Sequence, residues 1–257
     1  MKIARTETLF NHYMDNYLIA CKKDFFIDET NGTKKAVWDE KKNFGMFYKH
    51  YVESDVMPYL WIFNLVKVQF KRYIELNPKY KVHKNFPSVS KNTKAIEKFV
   101  EGEVFLATDI NHCYWRVAYL EGYINYSLYK KGLPENDSPA YDVMKLLRNK
   151  SLACVKSTKK RHHYKKGKLV KTEIFDNVSL EELYGNVRNI SYQIMDDIRF
   201  IIKKGFIKYK VDCIYYMPEY KDVVEGMMIG RDVGFKTNEC IYIGDGYFIE
   251  NDEVKKL

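Results

Sequence analysis

The stretch Glu103-Val-Phe-Leu-Ala-Thr-Asp109-Ile-Asn-His-Cys-Tyr114 decides how the rest of the chain is interpreted. Its residues alternate between two mostly apolar faces, which is typical of a strand in the middle of a sheet. The strand ends at one carboxylate, Asp109, and an aromatic residue, Tyr114, follows five positions later. The pattern therefore predicts a central strand over residues 103–110 that carries Asp109 to one edge of a sheet.

A second strand pattern covers residues 206–216 and places Asp212 in mid-strand on the more polar face. A long amphipathic helix that ends near Gly205 is predicted just before it. Two carboxylates on adjacent strands suit Mg²⁺, because this ion binds few carboxylates together with substrate phosphates. The sequence therefore makes Asp109 and Asp212 candidate metal ligands. The alternative is that each Asp caps a helix or closes a turn.

The composition bounds the class of protein and of partner. The chain has 257 residues, 16% of them aromatic, and a net charge of +9. This composition is that of a globular protein, and the positive charge favours nucleic acid as a partner, with a solvated lysine-rich surface as the alternative. The most basic segment is predicted to be a hairpin whose tip contacts phosphates or is simply solvated. Its candidate nucleic-acid ligands are Lys159, Lys160, Arg161, Lys165, Lys166 and Lys168.

Cysteine usage and hydropathy indicate a soluble protein of the cytoplasm. The five cysteines are scattered and show no Cys-x-x-Cys spacing, which is typical of reduced thiols in an intracellular protein. The longest apolar run, residues 57–70, contains Asn64 and Lys67 and is too polar to span a bilayer. No membrane association is therefore expected.

The order of the predicted elements indicates an α+β fold. Residues 1–95 are predicted to form a mainly helical N-terminal region, which a basic, loop-like segment separates from residues 96–257. In that second region, predicted helices at 114–129 and 140–150 lie between the two strands. We therefore expect an antiparallel sheet with helices packed on one face and a small helical insertion.

Three segments, in order, resemble the palm motifs of family B DNA polymerases. Asp109-Ile-Asn-His-Cys-Tyr114 resembles the first motif, D-x-x-S-L-Y-P, in its Asp and its Tyr. Lys145-Leu-Leu-Arg-Asn149 resembles the second, K-x-x-x-N-S-x-Y-G, in its Lys and its Asn. Tyr209-Lys-Val-Asp212-Cys resembles the third, Y-x-D-T-D-S, with Lys210 in place of the first Asp. The resemblance covers roughly residues 100–220.

The resemblance implies a palm-like sheet with a small fingers-like insertion and a DNA polymerase-like nucleotidyltransferase of phage type. Asp109 and Asp212 would bind two Mg²⁺ (or Mn²⁺) ions, and Tyr114 would stack beneath the nucleotide sugar and disfavour ribose. Lys145 would hold the triphosphate as a catalytic residue, and Asn149 would support the nucleotide pocket. The implied partners are deoxynucleoside triphosphates and nucleic acid, DNA rather than RNA, in the host cytoplasm.

Departures from the family pattern leave other functions open. Lys210 removes a carboxylate beside the metals, and the first hundred residues carry no proofreading exonuclease motif. Little chain follows the third motif, so a partner protein would supply a thumb or an exonuclease. One alternative is a non-catalytic, basic nucleic-acid-binding protein that uses the hairpin. Another is a phage protein-interaction component whose lysines only confer solubility.

Overall fold

The computed structural model describes residues 2–30, 33–39, 44–48, 61–133, 141–155, 158–175 and 178–257. The chain divides into two compact units. The first comprises Met1–Arg72 with Gly132–Tyr184, and the second comprises Tyr73–Lys131 with Gly185–Leu257. Helices and mostly antiparallel sheets occur throughout, so the fold class is α+β, as predicted.

The helices and strands of the described residues are numbered in chain order. The helices are α1 (Glu7–Tyr13), α2 (Trp61–Leu76), α3 (Thr93–Ile96), α4 (Cys113–Leu120), α5 (Tyr126–Lys131), α6 (Tyr141–Cys154), α7 (Val178–Ile202) and α8 (Lys221–Gly230). The strands are β1 (Lys2–Ala4), β2 (Phe25–Thr30), β3 (Thr33–Asp39), β4 (Phe44–Tyr48), β5 (Val89–Lys91), β6 (Val104–Ile110), β7 (Lys159–Lys165), β8 (Lys168–Phe175), β9 (Phe206–Lys210), β10 (Cys213–Tyr216), β11 (Phe235–Gly244), β12 (Tyr247–Glu250) and β13 (Glu253–Lys256). No described helix has both the length and the apolar character needed to cross a membrane.

The first unit contains a sheet in the order β1-β4-β3-β2-β7-β8, in which only the β1–β4 pair is parallel within the described residues. Helix α1 runs on as a π-helical segment over Met14–Ile19. The helical residues Phe10, Met14 and Leu18 are buried against Phe25 and neighbouring strand residues. Burial of these apolar side chains holds the helix on the sheet.

The prediction of a mainly helical N-terminal region is wrong for residues 25–30, 33–39 and 44–48, which form β2, β3 and β4. Asn31-Gly32 separates two segments rich in aromatic and β-branched residues, and this dipeptide is a strong hairpin signal. Thr30 and Thr33 are indeed paired across β2 and β3. The two compact units also differ from the expected boundary at residue 95, since each contains residues from both sides of it.

The second unit contains the sheet that carries Asp109. Its described strands are antiparallel and lie in the order β13-β12-β11-β6-β10-β9-β5. Strand β6 lies between β10 and β11, so the predicted central strand is confirmed. On one side of the sheet, Phe105, Ala107 and Phe248 form a buried cluster. The central position of β6 explains why both of its faces are mostly apolar.

Two predicted elements of this unit are divided by turns. The single strand expected over residues 206–216 is a hairpin of β9 and β10. The single helix expected over residues 114–129 is broken into α4 and α5, because Gly122 adopts a left-handed conformation at φ 73°. The first correction decides where Asp212 lies.

Candidate active site

Strand pairing brings Asp109 and Asp212 together. Asp109 is the next-to-last residue of β6 and lies directly opposite Cys213, the first residue of β10. The N–H of Ile110 donates to the carbonyl oxygen of Asp212 at 3.0 Å. The backbones of the two aspartates therefore lie close together, where β6 ends and β10 begins.

Asp212 lies in the turn between β9 and β10, so its predicted position in mid-strand is wrong. Val211, the other turn residue, has φ 61°, which is rare for a β-branched residue. The N–H of Val211 donates to the carbonyl oxygen of Ser88 at 2.7 Å, and Asp212 accepts from Ile110. Both hydrogen bonds join the turn to residues outside the β9–β10 hairpin. Contacts with other parts of the unit therefore hold the turn in this conformation.

The charges of both carboxylates raise the pKa values of the same two thiols, Cys113 and Cys213. Burial raises the pKa of the Cys113 thiol, and the charges of Asp212 and Asp109 raise this pKa further, against the effect of a hydrogen bond with Ser191. Burial also raises the pKa of the Cys213 thiol, and Asp109 and Asp212 add to the increase. The pKa of each thiol therefore depends on the charges of both aspartates.

Tyr114 begins a chain of polar contacts beside this region. It lies in the first turn of α4, and its hydroxyl is 3.2 Å from the hydroxyl of Tyr192 on α7. Nε of Arg188 donates to the same Tyr192 hydroxyl at 3.2 Å. Burial, the bond with Tyr192 and the charge of Asp212 raise the pKa of the Tyr114 phenol, which is therefore neutral at physiological pH.

A pocket of about 220 Å³ opens beside the Tyr192 end of this chain. Gly185, Arg188, Asn189 and Tyr192 line it from α7, and Asn85, Phe86 and Ser88 line it from the segment before β5. Ser88 is also the residue that holds the turn carrying Asp212. The pocket therefore combines one guanidinium, amide groups and aromatic rings close to the strands that carry the aspartates.

Lys145 and Asn149 lie in the first unit. Both are exposed on α6, four residues apart and hence on one side of that helix. Asp109, Asp212 and Tyr114 belong to the second unit. Within the described residues, the structure thus groups the residues of the first and third motifs in one unit and leaves the roles of Lys145 and Asn149 as predictions.

The basic segment forms the predicted hairpin, with Lys166 and Gly167 in the turn between β7 and β8. Its charge is partly offset by the neighbouring strand β2. Arg161 binds both carboxylate oxygens of Asp28, at 2.6 and 2.9 Å, and Nζ of Lys159 lies 2.8 Å from the same carboxylate. The four other predicted phosphate ligands are exposed: Lys160, Lys165, Lys166 and Lys168.

The donor set at the two aspartates suits a magnesium ion that also binds substrate phosphates. Among the described residues, no group of three or more His, Cys, Asp or Glu side chains could hold a metal. A pair of carboxylates is nevertheless what Mg²⁺ sites with phosphate substrates use, since water and phosphate oxygens complete the octahedron. Cys113 and Cys213 are kept protonated by the raised pKa values, so they would be poor ligands.

The sequence motifs did not select the α7 residues that support Tyr114. Ser191 is buried and bonds Cys113, and Tyr192 bonds Tyr114. The sequence could have pointed to some of these residues, because Arg188, Ser191 and Tyr192 interrupt the apolar pattern of a long helix. No protein-family profile and no curated protein sequence matches this chain. The resemblance to family B polymerases therefore stays a prediction from the motifs.

Proposed function

We propose that the second unit carries a metal-dependent nucleotidyltransferase site that adds deoxynucleotides to a nucleic-acid 3′ end. The observation that carries this proposal is the pairing of β6 with β10, which brings Asp109 close to Asp212 in the turn just before β10. Two carboxylates in this arrangement suit Mg²⁺ or Mn²⁺ with a triphosphate. Bound divalent ions would lower the pKa of the attacking hydroxyl and neutralise charge on the leaving pyrophosphate.

In the proposed reaction the 3′-hydroxyl oxygen forms a bond to the α-phosphorus. The bond from that phosphorus to the bridging oxygen breaks, pyrophosphate leaves, and the hydroxyl proton passes to solvent. Asp109 and Asp212 would position the reacting groups through the ions they bind. Tyr114, held by Tyr192, would form a flat floor for the sugar, and its neutral hydroxyl would occupy the space beside the ribose 2′ position.

Primer extension with Mg²⁺ or Mn²⁺ tests this function. Because bound metal ions supply several kcal/mol of transition-state stabilisation, Asp109→Asn and Asp212→Asn should each lower the rate roughly 100-fold or more. Asparagine preserves the shape of both side chains. Asp245→Asn is the matched control, since Asp245 is an exposed turn residue at φ 51°, a conformation that asparagine tolerates equally well. Equal activity in all three variants would contradict the proposal.

A non-catalytic nucleic-acid-binding protein is the second candidate function. The β7–β8 hairpin supports it, because Lys165, Lys166 and Lys168 are exposed around the turn. In that case the protein should bind DNA with an affinity that falls steeply with salt, and it should extend no primer in any metal. Loss of binding in K165Q/K168Q, together with full binding in Asp109→Asn, would support the hairpin.

A further inference from the structure

Three lysines, of which only Lys210 belongs to one of the three motifs, lie on the sheet face that carries Asp109. Residues directly opposite each other in antiparallel strands project to the same face. Asp109 is opposite Cys213, Cys213 is opposite Lys210, and Lys210 is opposite Val89. Lys210 is exposed. One row across the sheet therefore places an exposed ammonium two strands away from the Asp109 carboxylate.

The next row of the same face adds two more lysines. Tyr215 is opposite Lys208, and Lys208 is opposite Lys91 on the edge strand β5. Nζ of Lys208 lies 5.9 Å from the centre of the Tyr215 ring, as expected for side chains on one face. Burial lowers the pKa of Lys208, and the charges of Lys91 and Lys210 lower it further. The three strand lysines, Lys91, Lys208 and Lys210, thus form one cluster of like charge.

A groove continues this cluster beyond the start of β9. Its volume is about 700 Å³, and the four groove lysines line it: Lys94, Lys98, Lys203 and Lys204. Asn92, which directly follows β5, donates its N–H to the carbonyl oxygen of Ile207 at 2.8 Å and so holds this segment beside β9. Glu103 and Glu219 are the acidic residues of the groove lining, so positive charge predominates there.

The strand lysines and groove lysines, together called the lysine surface, carry charge that no acidic side chain of the described residues neutralises. None of the seven forms an ion pair with a described Asp or Glu. Lys91 and Lys208 donate to main-chain oxygens of Leu257 and Lys256. The acidic Glu250 on β12 is already bound to Lys255 and Asn238. The basic hairpin differs, because Asp28 binds two of its cations.

We infer that the lysine surface binds the sugar-phosphate backbone of a nucleic-acid strand. Lysine is a flexible point charge suited to phosphate, and a polyanion relieves the repulsion among clustered ammonium groups. Lys208 and Lys210 are two residues apart on one strand, roughly 7 Å, so β9 presents two ammonium groups in a line on this face. The inference needs no catalysis and therefore goes beyond the proposed function.

Fluorescence anisotropy with end-labelled single-stranded and duplex DNA, in EDTA, tests the inference without metal chemistry. The variants are K91Q/K208Q/K210Q for the strand lysines and K94Q/K98Q/K203Q/K204Q for the groove lysines. Glutamine keeps most of the side-chain length and removes the charge. The matched control, K67Q/K71Q/K79Q, removes three exposed charges from α2 and the residues that follow it, outside every proposed binding surface. Far-ultraviolet circular dichroism checks that each variant is folded.

The strand variant should raise the Kd about tenfold or more near 0.1 M salt. It should also reduce the slope of log K against log salt by about 2 to 3, since roughly one counterion is released per phosphate neutralised. The groove variant should also raise the Kd and reduce the slope, and the control should change the Kd less than either surface variant does. Wild-type Kd and slope in both surface variants would overturn the inference. So would equally tight binding of poly-glutamate and DNA, because it would indicate an acidic protein partner.

Failure of this inference is separable from failure of the proposed function. Asp109→Asn should bind DNA in EDTA at least as tightly as the wild type, because the substitution removes a negative charge from the same sheet face. A protein that loses DNA binding in the strand variant but never extends a primer would contradict the proposed function alone. Primer extension with unaltered DNA binding in both surface variants would contradict the lysine surface alone.

Discussion

Asp109 and Cys213 lie directly opposite each other on β6 and β10, and Asp212 immediately precedes Cys213. This one pairing places the two aspartates and a cysteine close together, where β6 ends and β10 begins. The bond from the N–H of Ile110 to the carbonyl oxygen of Asp212, at 3.0 Å, fixes the register there. The Cys213 thiol can therefore serve as a reporter, because its pKa depends on the charge at the proposed metal site.

The first prediction uses this reporter. Asp109→Asn should lower the pKa of the Cys213 thiol, because the negative charge of Asp109 opposes thiolate formation. Burial, the largest cause of the raised pKa, would remain, so the thiol should still titrate above its ordinary value of 9.0. Alkylation of Cys213 near pH 9, followed by peptide mass spectrometry, should be severalfold faster in the variant than in the wild type.

Asp245→Asn is the control for this experiment and should leave the alkylation rate unchanged. Mn²⁺ added to the wild-type protein should accelerate alkylation in the same direction, since a bound cation also favours the thiolate. A rate that is identical in wild type and Asp109→Asn would mean that the carboxylate does not face Cys213.

The second prediction concerns Tyr114 and rests on the proposed function. Tyr114→Ala should raise incorporation of ribonucleotides relative to deoxynucleotides about tenfold or more, because the ring that would exclude the 2′-hydroxyl is removed. Single-nucleotide primer extension with each substrate gives the ratio of kcat/KM values. Tyr192→Phe, which removes only the hydroxyl partner of Tyr114, should change the ratio less than about threefold. Unchanged selectivity in Tyr114→Ala would exclude Tyr114 from sugar discrimination.

The third prediction concerns Asp28 and pH. Burial tends to raise the pKa of this carboxyl, but hydrogen bonds and charges from Arg161 and Lys159 outweigh burial and hold it below its ordinary value of 3.8. A lowered folded pKa means that the stabilisation is complete above the unfolded pKa and is lost as pH falls through the folded pKa. Asp28→Asn should therefore cost about 1 kcal/mol at pH 7, with solvent screening of the partly exposed cations included.

Urea denaturation at pH 7, 5 and 3 measures this difference, which should persist at pH 5 and shrink at pH 3. Asp15→Asn is the control, because Asp15 is exposed and forms no ion pair with a described residue. Asp28→Asn should also release Arg161 and Lys159 and tighten any DNA binding by the hairpin. A difference in the free energy of unfolding between wild type and Asp28→Asn that grows toward pH 3 would contradict the prediction.

The fourth prediction concerns Gly205, which joins α7 to β9. A Cβ at this buried position would overlap the ring of Tyr220. Gly205→Ala should therefore lower the free energy of unfolding by about 1–3 kcal/mol, the usual cost of overpacking. Gly226→Ala in α8 is the matched control, because no atom lies within 4 Å of its added Cβ. The control should gain roughly 0.5–1 kcal/mol from helix propensity, as urea denaturation would measure. Equal stability in the two variants would contradict the close approach of Tyr220.

Periodicity predicted much of the second unit. The alternating pattern of residues 103–110 located β6, and the long amphipathic pattern before Gly205 located α7. Both patterns extend over enough residues for one period to dominate. The hairpin around Lys166-Gly167 was also predicted, because glycine marks left-handed positions. The strands β2 to β4 were missed although Asn31-Gly32 carries the same kind of signal.

The turn at Val211-Asp212 had no such signal. No glycine, proline or asparagine occurs in residues 208–214, and their alternation of polar with apolar or aromatic residues predicts a continuous strand. The left-handed Val211 is held by Ser88, more than a hundred residues away in the chain. Contacts so distant in sequence leave no local pattern, so propensity alone predicts the wrong conformation.

The sequence by itself determined the α+β class and the central strand that carries Asp109, which follow from local periodicity. The role of the two aspartates as a pair of metal ligands was suggested by the chemistry of carboxylates and stays a prediction. Only the tertiary structure decided that Asp212 lies in a turn, that Tyr192 and Arg188 support Tyr114, and that the strand lysines share a face with Asp109. The physical reason is strand register, which pairs residues a hundred positions apart and which no local pattern encodes.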